Sequence, residues 1–245
     1  MPEFVNTESK ISSLLAKLQD LPTKPPSLYI DLEGINLSRH GSISILQIYI
    51  LPLDETYLVD IYSLQERAFL AMAPHKGQNL LGILESPDIP KVFFDVRNDS
   101  DALFSHFNVK LAGVIDLQLM QLATSSFPRR YVSGLEKCLE KEASLEGRDF
   151  QIWRASKEKG LKLFDPKHGG SHEVFDIRPL PEDIKEYCVQ DVRYLPRLWV
   201  QYDQKISPAW ASKVTAETLN RVKQSQAATY DAKGEWKKLA PAGWW

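Results

Sequence analysis

The sequence has few of the residues that mark disulfide-rich or zinc-binding proteins. It contains only two cysteines, Cys138 and Cys188, and both lie in segments with a helical pattern. Two cysteines so placed exclude a disulfide framework and a cysteine-based zinc site, and we expect both to be small core residues. An intracellular, reducing compartment, either cytoplasmic or nuclear, is therefore the expected location.

Long apolar runs are also absent. The longest lies around residues 45–53 and is interrupted by Gln47 and Pro52, so it is too short to span a bilayer. The first residues show no basic segment followed by an apolar one. We therefore expect neither a secretory signal nor a membrane partner.

An excess of positive charge is missing too, since the formal net charge is −2. Proteins that bind nucleic acid without sequence preference usually carry a basic field, so the net charge alone does not support such a partner. It does not oppose an enzyme whose acidic site is neutralised by bound cations. The charges are unevenly spread, because residues 154–167 contain five basic residues and two acidic ones.

What is present is the pattern of one sizeable α/β domain in a chain of 245 residues. Strands predicted at 27–33, 42–50 and 56–61 have short connections, which favours an antiparallel meander. Later strands at 91–94 and 114–115 alternate with helices, so we predict a mixed sheet flanked by helices. The predicted helices are 6–20, 80–84, 100–107, 117–123, 134–141, 181–201 and 211–226, with a polar loop over 155–180.

Two carboxylates interrupt the first apolar strand. Asp31 and Glu33 are two residues apart, so both point to the same face of the sheet. Adjacent carboxylates repel each other unless a cation lies between them, and oxygen ligands on a rigid strand suit Mg²⁺ or Mn²⁺. The alternative is a strand end at which both side chains are solvated.

The helix predicted from residue 181 contains a similar anomaly. Its apolar stripe consists of Ile184, Tyr187, Cys188, Asp191, Leu195 and Leu198. Asp191 falls in the middle of this buried face, where an unpaired charge is costly, and Tyr187 lies one turn earlier on the same side. The alternative is a buried tyrosine that hydrogen-bonds to a paired aspartate.

A third group of acids follows the strand predicted at 91–94. Asp101 lies in the first turn of the next predicted helix, where acids commonly complement the helix dipole. Asp95 and Asp99 are rival candidates for a metal ligand. The pattern alone does not separate the three.

In this order, the three segments resemble the motifs of the DEDD exonucleases, a superfamily that includes RNase D, the exosome-associated exonuclease, the Werner-type exonuclease and proofreading domains. Residues 31–33 match the D-x-E motif, and residues 91–103 resemble the second motif, by which Asp101 would be the ligand. Tyr187 and Asp191 match the Y-x-x-x-D motif of the tyrosine subclass. The resemblance implies an RNase H-like mixed sheet, with three antiparallel strands followed by parallel strands, flanked by helices.

Within this superfamily, the sequence resembles the exonuclease 3′–5′ domain-containing proteins related to Egalitarian. Residues 95–103 and the stretch 169–181 carry this resemblance, and Phe94 departs from it where many relatives have histidine. The implied organisation is an N-terminal helix and linker at 1–26, an exonuclease domain at 27–202, and a C-terminal helical extension with a Trp-rich tail at 203–245.

The resemblance further implies a 3′–5′ exonuclease that hydrolyses the 3′-terminal phosphodiester of single-stranded RNA or DNA, with RNA favoured, by means of two divalent cations, Mg²⁺ or Mn²⁺. Asp31 would bridge the two ions, and Glu33 and Asp191 would complete the site at which water is activated. Asp101 would support the second ion, and Tyr187 would orient or deprotonate the attacking water.

Candidate contacts to the nucleic acid are basic residues on predicted loops near these motifs. They are Arg97, Arg129, Arg130, Lys159 and Lys162. A solvated surface charge is the alternative for each of them. The tail, with Trp236, Trp244 and Trp245, would pack on the domain, bind a protein partner or form a disordered end.

A non-catalytic RNA-binding or adaptor protein on the same fold is the competing hypothesis. The mildly acidic net charge and Phe94 favour it. The presence of all four carboxylate positions together with Tyr187 opposes it, because an adaptor gains nothing from Asp191 on a buried helix face.

Overall fold

The structure of the chain is a computed structural model, which describes residues 2–73, 77–126, 128–143 and 145–244. Trp245, which the sequence analysis grouped with the tail, lies outside the described residues. Among the described residues, none of the helices combines the length and the apolar character that a transmembrane segment requires.

One mixed sheet contains the six strands of the described segments. They are β1 (Glu3–Val5), β2 (Leu28–Glu33), β3 (Ile45–Ile50), β4 (Glu55–Asp60), β5 (Lys91–Phe93) and β6 (Val114–Asp116). The order is β1-β4-β3-β2-β5-β6, in which β2, β3 and β4 are antiparallel, and β5 and β6 run parallel to β2. This confirms the predicted fold class. The sequence pattern did not predict β1, which pairs in parallel with β4.

Helices cover both faces of the sheet. They are α1 (Glu8–Lys17), α2 (Ile61–Leu64), α3 (Arg67–Leu70), α4 (Leu80–Glu85), α5 (Arg97–Phe107), α6 (Leu117–Thr124), α7 (Leu135–Glu142), α8 (Gly147–Phe164), α9 (Glu182–Arg193), α10 (Leu195–Lys205) and α11 (Pro208–Ser225).

The side chains of β2 alternate between the two apolar layers of the protein. Leu28, Ile30 and Leu32 point into the layer that contains α1, α3, α4 and α5. Tyr29 points into the opposite layer, which contains α6, α7 and α10. Because alternate residues of a strand share a face, Asp31 and Glu33 point to the same side as Tyr29. That side also receives α9, which packs against β2 and β3.

The long helix predicted from residue 181 is two helices in the structure. α9 begins after Pro181 with two acids in its first turn, as helix starts favour, and it ends at Arg193. Pro196 lies in the first turn of α10 and has no backbone N–H to donate. A continuous helix would lose a hydrogen bond there and would bring the proline ring against the preceding turn.

The prediction of a polar loop over 155–180 is wrong for the first ten of these residues, because α8 continues to Phe164. The buried face of α8 carries Trp153, Ser156 and Gly160, at helical spacing. Two of these three residues are small, so the segment shows no apolar periodicity, while its many charged residues lie on the outer face. Small residues allow α8 to pack closely on α9.

The C-terminal residues fold back onto the sheet domain. α11 packs against α5 and α6, and its Arg221 forms a buried ion pair of 2.8 Å with Asp116 at the end of β6. Trp244 is 6% exposed and packs against Trp210, with ring centroids 5.1 Å apart. Three alternatives were considered for the tail, and Trp244 follows the first of them, packing on the domain. The domain boundary at residue 202 stays a prediction.

Candidate active site

β2 and α9 bring together three of the predicted carboxylates. Asp31 and Glu33 project from β2 towards α9, and Asp191 projects from the opposing face of α9. One carboxylate oxygen from each residue lies within 4.8 Å of the other two. Asp31 and Glu33 are half-buried against α9, so they do not form a solvated strand end. Asp191 is paired with Lys157 and lies one turn from buried Tyr187, so the alternative of a paired aspartate beside a buried tyrosine stays open.

The fourth acid of the cluster is Asp99, not Asp101. α5 begins at Arg97, earlier than predicted, which places Asp99 in its first turn. The Asp99 side chain is buried, and its Oδ1 has no hydrogen-bond partner among the described residues. Apart from burial itself, the charge of Asp99 is the largest cause that raises the pKa of Asp31. Asp99 thus lies near enough to the three clustered carboxylates to disfavour the ionisation of Asp31.

Asp101 is occupied elsewhere, so its prediction as a metal ligand is wrong. Its fully buried carboxylate accepts hydrogen bonds from the backbone N–H of Arg39, at 2.8 Å, and from Arg39 Nε, at 2.7 Å. Residues two positions apart in a helix point about 200° away from each other. If Asp99 faces the cluster, Asp101 must face away from it.

The acids of the cluster oppose one another's ionisation. Burial, followed by repulsion from Asp191, raises the pKa of Glu33 to about 8. Burial also raises the pKa of Asp99 to about 7, and it raises the pKa of Asp31 well above its usual range. Carboxyl groups whose ionised form is disfavoured in this way are stabilised in that form by bound cations.

Lys157 places a positive charge against the cluster, and it was not among the site residues predicted from the sequence. Its Nζ forms a short ion pair with Asp191 Oδ1 and lies 4.2 Å from the centre of the Tyr187 ring. Burial disfavours its charged form, but the attraction of Asp191, Glu33 and Asp31 outweighs this and raises the pKa of Lys157. A lysine within a segment predicted as a polar loop carries no signal that would single it out.

Tyr187 is held beside the cluster on three sides. Its side chain lies close enough to Glu33 to have a lowering effect on the pKa of that carboxyl group, and it packs against Phe164, with ring centroids 4.8 Å apart. Gly160 of α8 provides the space for the ring, because a Cβ at that position would lie only 2.4 Å from Cδ2 of Tyr187. The phenol is therefore fixed in position by packing before any substrate binds.

Two of the predicted nucleic-acid contacts are internal residues. Arg97 is 3% exposed, and its guanidinium pairs with Asp95 at 2.5 Å and donates to the carbonyl of Lys237 at 2.9 Å. Arg129 is 8% exposed and donates to the carbonyls of Leu122 and Ala123. The prediction that either of them binds substrate is wrong, because both guanidinium groups are used within the fold.

The other three predicted contacts lie on the surface. Arg130 and Lys162 are exposed, and Lys159 is exposed and forms a 3.3 Å ion pair with Asp183 on α9. Lys159 and Lys162 are on the same helix, α8, that carries Lys157 to the cluster. These three side chains are accessible to a polyanion, and their role in binding one stays a prediction.

The donor set fits divalent cations. Asp31, Glu33, Asp99 and Asp191 offer only carboxylate oxygens, the ligands that Mg²⁺ and Mn²⁺ prefer. The unpartnered Oδ1 of buried Asp99 is a polar atom that a bound cation would satisfy. Three of these carboxylates project from β2 and α9, which are rigid elements.

Comparisons with known proteins bear on the family and the fold of the chain. A family model described as 3′–5′ exonuclease matches residues 2–206. A comparison with curated proteins gives no match.

Several solved structures share the fold at low sequence identity. RNase D of Trypanosoma brucei, in complex with RNA U12, is 24% identical with a TM-score of 0.76, over 99% of this chain and 77% of that chain. RNase D of Escherichia coli is 17% identical with a TM-score of 0.59, over 94% and 52% of the two chains. NrnC of Brucella melitensis, bound to pGG, is 19% identical with a TM-score of 0.56, over 88% and 95%.

At these identities the likeness to solved structures establishes the fold, and the family rests on the family model, which covers most of the chain. The closer relationship to Egalitarian-like proteins stays a prediction. The chain belongs to the 3′–5′ exonuclease family and has the fold of RNase D.

Proposed function

We propose that the protein is a metal-dependent exonuclease that hydrolyses the 3′-terminal phosphodiester of single-stranded nucleic acid, with RNA preferred over DNA. The observation that carries this proposal is the carboxylate cluster of Asp31, Glu33 and Asp191, with the buried side chain of Tyr187 beside it. Membership of the exonuclease family fixes the reaction class, and the cluster supports the cation dependence.

Asp31, Glu33, Asp99 and Asp191 are the residues that would hold two divalent ions. When bound, the ions supply positive charge that stabilises the attacking and the leaving oxygens of the phosphodiester. The protein contributes a prearranged set of ligands, since Asp31 and Glu33 are fixed by β2 and Asp191 by α9. Carboxylates whose oxygens already lie within 4.8 Å of one another need little reorganisation when cations arrive.

Tyr187 would orient the attacking water. Burial, together with the charges of Asp191 and Glu33, raises the pKa of the phenol well above its usual value, so the hydroxyl is neutral in the metal-free protein. A neutral hydroxyl can donate one hydrogen bond to Glu33 and accept another from water. This favours positioning of the water over removal of its proton by Tyr187.

The preference for RNA is supported by what similar proteins bind. The RNase D of T. brucei is seen with the RNA U12, and NrnC of B. melitensis is seen with pGG. On this chain, the exposed Arg130, Lys159 and Lys162 provide positive charge for a backbone. Cytoplasmic or nuclear location and a protein partner for the tail remain predictions.

The direct test is degradation of a 5′-labelled single-stranded RNA, beside DNA of the same sequence, in Mn²⁺, Mg²⁺ or EDTA. We expect a ladder that shortens from the 3′ end, that requires the metal, and that is lost in Asp31→Asn. Tyr187→Phe should retain metal-induced stabilisation and lose about 10²-fold in rate, the usual cost when a reacting group is no longer held in position. Intact RNA in every lane would refute the proposal.

One observation favours the non-catalytic alternative, an RNA-binding adaptor. The ammonium of Lys157 already neutralises Asp191, so the cluster has a cation of its own. An adaptor would bind the labelled RNA without shortening it, and its melting temperature would not respond to Mn²⁺. The same protein preparations distinguish the two functions.

A further inference from the structure

We propose that Lys157 is an internal cation of the carboxylate cluster, which must leave Asp191 before a divalent ion binds there. In this way Lys157 stabilises the metal-free protein and weakens its affinity for metal. The inference rests on the proposed function, since it concerns the cations that the cluster would hold.

The contacts of Lys157 place its charge inside the cluster. Nζ bonds to Asp191 Oδ1, and the side chains of the two residues are only 12% and 3% exposed. Glu33 and Asp31 also attract the ammonium, and the face of the Tyr187 ring lies 4.2 Å from it. No other lysine or arginine among the described residues forms an ion pair with Asp31, Glu33 or Asp191.

A divalent ion and this ammonium compete for the same oxygen. Two cations that bind one carboxylate oxygen at contact distance repel each other strongly in a buried site. Asp191 is also one of the three residues that define the cluster, so an ion bound by all three would meet Nζ directly. Binding of the ion and retention of the ion pair therefore exclude each other.

The side chain of Lys157 can leave the cluster without movement of α8. α8 is anchored to the domain by Trp153, Ser156 and Gly160, so the helix does not depend on Lys157 for its position. The Lys157 side chain is 12% exposed, so part of it lies next to solvent. A flexible four-carbon stem can therefore carry the ammonium out of the site while α8 stays in place.

Displacement of this kind lowers the apparent affinity for metal. When only a fraction of the molecules is competent to bind, the apparent dissociation constant rises in inverse proportion to that fraction. Removal of the charge at position 157 should therefore strengthen metal binding, although it removes a favourable contact from the metal-free protein. An ordinary structural ion pair would not produce these two opposite effects.

The test compares Mn²⁺ binding by calorimetry and melting temperature in EDTA for the parent protein, Lys157→Met and Lys157→Arg. Lys159→Met is the matched control, because Lys159 lies on the same helix with its side chain 57% exposed. We expect Lys157→Met to bind Mn²⁺ about tenfold more tightly or better, as follows if at most about a tenth of the parent has Lys157 withdrawn. We also expect it to melt at a lower temperature in EDTA, and Lys157→Arg and Lys159→Met to bind as the parent does.

The outcomes separate this inference from the proposed function. If the parent binds Mn²⁺ and Lys157→Met binds it no more tightly, the internal-cation inference is refuted and the metal site stands. If only Lys157→Met binds Mn²⁺, the inference is supported and the adaptor becomes the better function. Absence of binding in both proteins refutes the metal site, and the inference with it.

A second measurement needs no variant. Acetylation of lysines in the parent protein, followed by mass spectrometry, reports how accessible each side chain is. We expect Lys157 to react slowly in EDTA and several times faster with Mn²⁺, while Lys159 reacts equally in both. Equal reactivity of Lys157 in EDTA and in saturating Mn²⁺ would contradict displacement.

Discussion

Asp99 and Asp101 lie two residues apart on α5 and have different surroundings. Asp99 repels Asp31 across the cluster, whereas Asp101 accepts two hydrogen bonds from Arg39. Their substitution by asparagine keeps the size of each side chain and removes its charge. The two variants therefore report on two different functions of neighbouring acids.

We predict that Asp99→Asn loses the stabilisation by Mn²⁺ and that Asp101→Asn keeps it. A ligand that binds only the native state raises the melting temperature by mass action, and Asp99 is the residue of the pair that can contribute to that binding. Asp101→Asn should instead melt at a lower temperature with and without metal, because Arg39 loses a charged partner. Thermal denaturation in EDTA and in Mn²⁺ measures both effects. The reverse result would restore Asp101 as the ligand.

The sequence allowed prediction of those site residues whose type conflicts with their local pattern. Asp31 and Glu33 interrupt an apolar strand, and Asp191 interrupts an apolar helix face, so each could be located before the fold was known. Asp99 could not be separated from Asp101, because the start of α5 was predicted three residues too late. The choice depended on the partner of Asp101, Arg39, which lies 62 residues away in the sequence.

At the scale of elements, the position of Tyr187 depends on the close packing of α8 against α9. Gly160 faces the Tyr187 ring at a point where a Cβ would lie 2.4 Å from Cδ2. Contacts below about 3 Å are not tolerated between carbon atoms, so an added methyl group must displace either the ring or the helix.

We predict that Gly160→Ala lowers the rate of exonuclease activity by about tenfold to a hundredfold, because a displacement of about 1 Å near the reacting atoms has effects of this size. The Mn²⁺-induced rise in melting temperature should remain, since the carboxylates of the cluster are unchanged. Gly134→Ala is the control, because no atom lies within 4 Å of its added Cβ and its φ is negative. A Gly160→Ala protein as active as Gly134→Ala would show that the ring position is not needed.

α8 is an element that could not be predicted from the sequence. The strands of the meander were predictable from their β-branched and aliphatic residues. α8 was not, because its buried face uses Ser156 and Gly160 in place of large apolar residues. Close helix packing requires small residues, and small residues are weak signals of burial.

At the scale of the whole molecule, the acidic cluster should make stability depend on pH. In the folded, metal-free protein the pKa values of Glu33 and Asp99 are about 8 and about 7. In an unfolded chain such groups titrate near about 4. The folded state therefore binds more protons between these values, so its stability falls as pH rises from about 4 to 8.

We predict that in EDTA the free energy of unfolding declines across this range, and that Glu33→Gln reduces the slope. Glutamine cannot release a proton, so the variant lacks the contribution of that residue. Urea denaturation of both proteins at several pH values gives the two slopes, and other titrating groups largely cancel in the comparison. Parallel slopes would mean that Glu33 is ionised in the folded state over the whole range.

Arg39 connects three segments that are far apart in the sequence. From the loop after β2 it pairs with Asp101 on α5, and its guanidinium donates to the carbonyls of Ser225, Ala227 and Ala228 at the end of α11. The C-terminal residues are thereby held to the helix that carries Asp99. The predicted extension at 203–245 thus accepts hydrogen bonds from an arginine of the predicted exonuclease domain.

We predict that Arg39→Met lowers the free energy of unfolding by about 3–5 kcal/mol, the usual cost of removing one partner of a buried ion pair. Much of this cost arises because Asp101 is left charged and buried. Arg39→Met combined with Asp101→Asn should therefore be less destabilised than the sum of the two single variants, by about 0.5–3 kcal/mol. Arg67→Met is the control, because the 3.8 Å pair of Arg67 with Glu8 is mostly exposed and is worth at most about 1 kcal/mol. Strictly additive effects would mean that Arg39 holds α11 through its carbonyl contacts alone, and that the charge of Asp101 does not contribute to the connection.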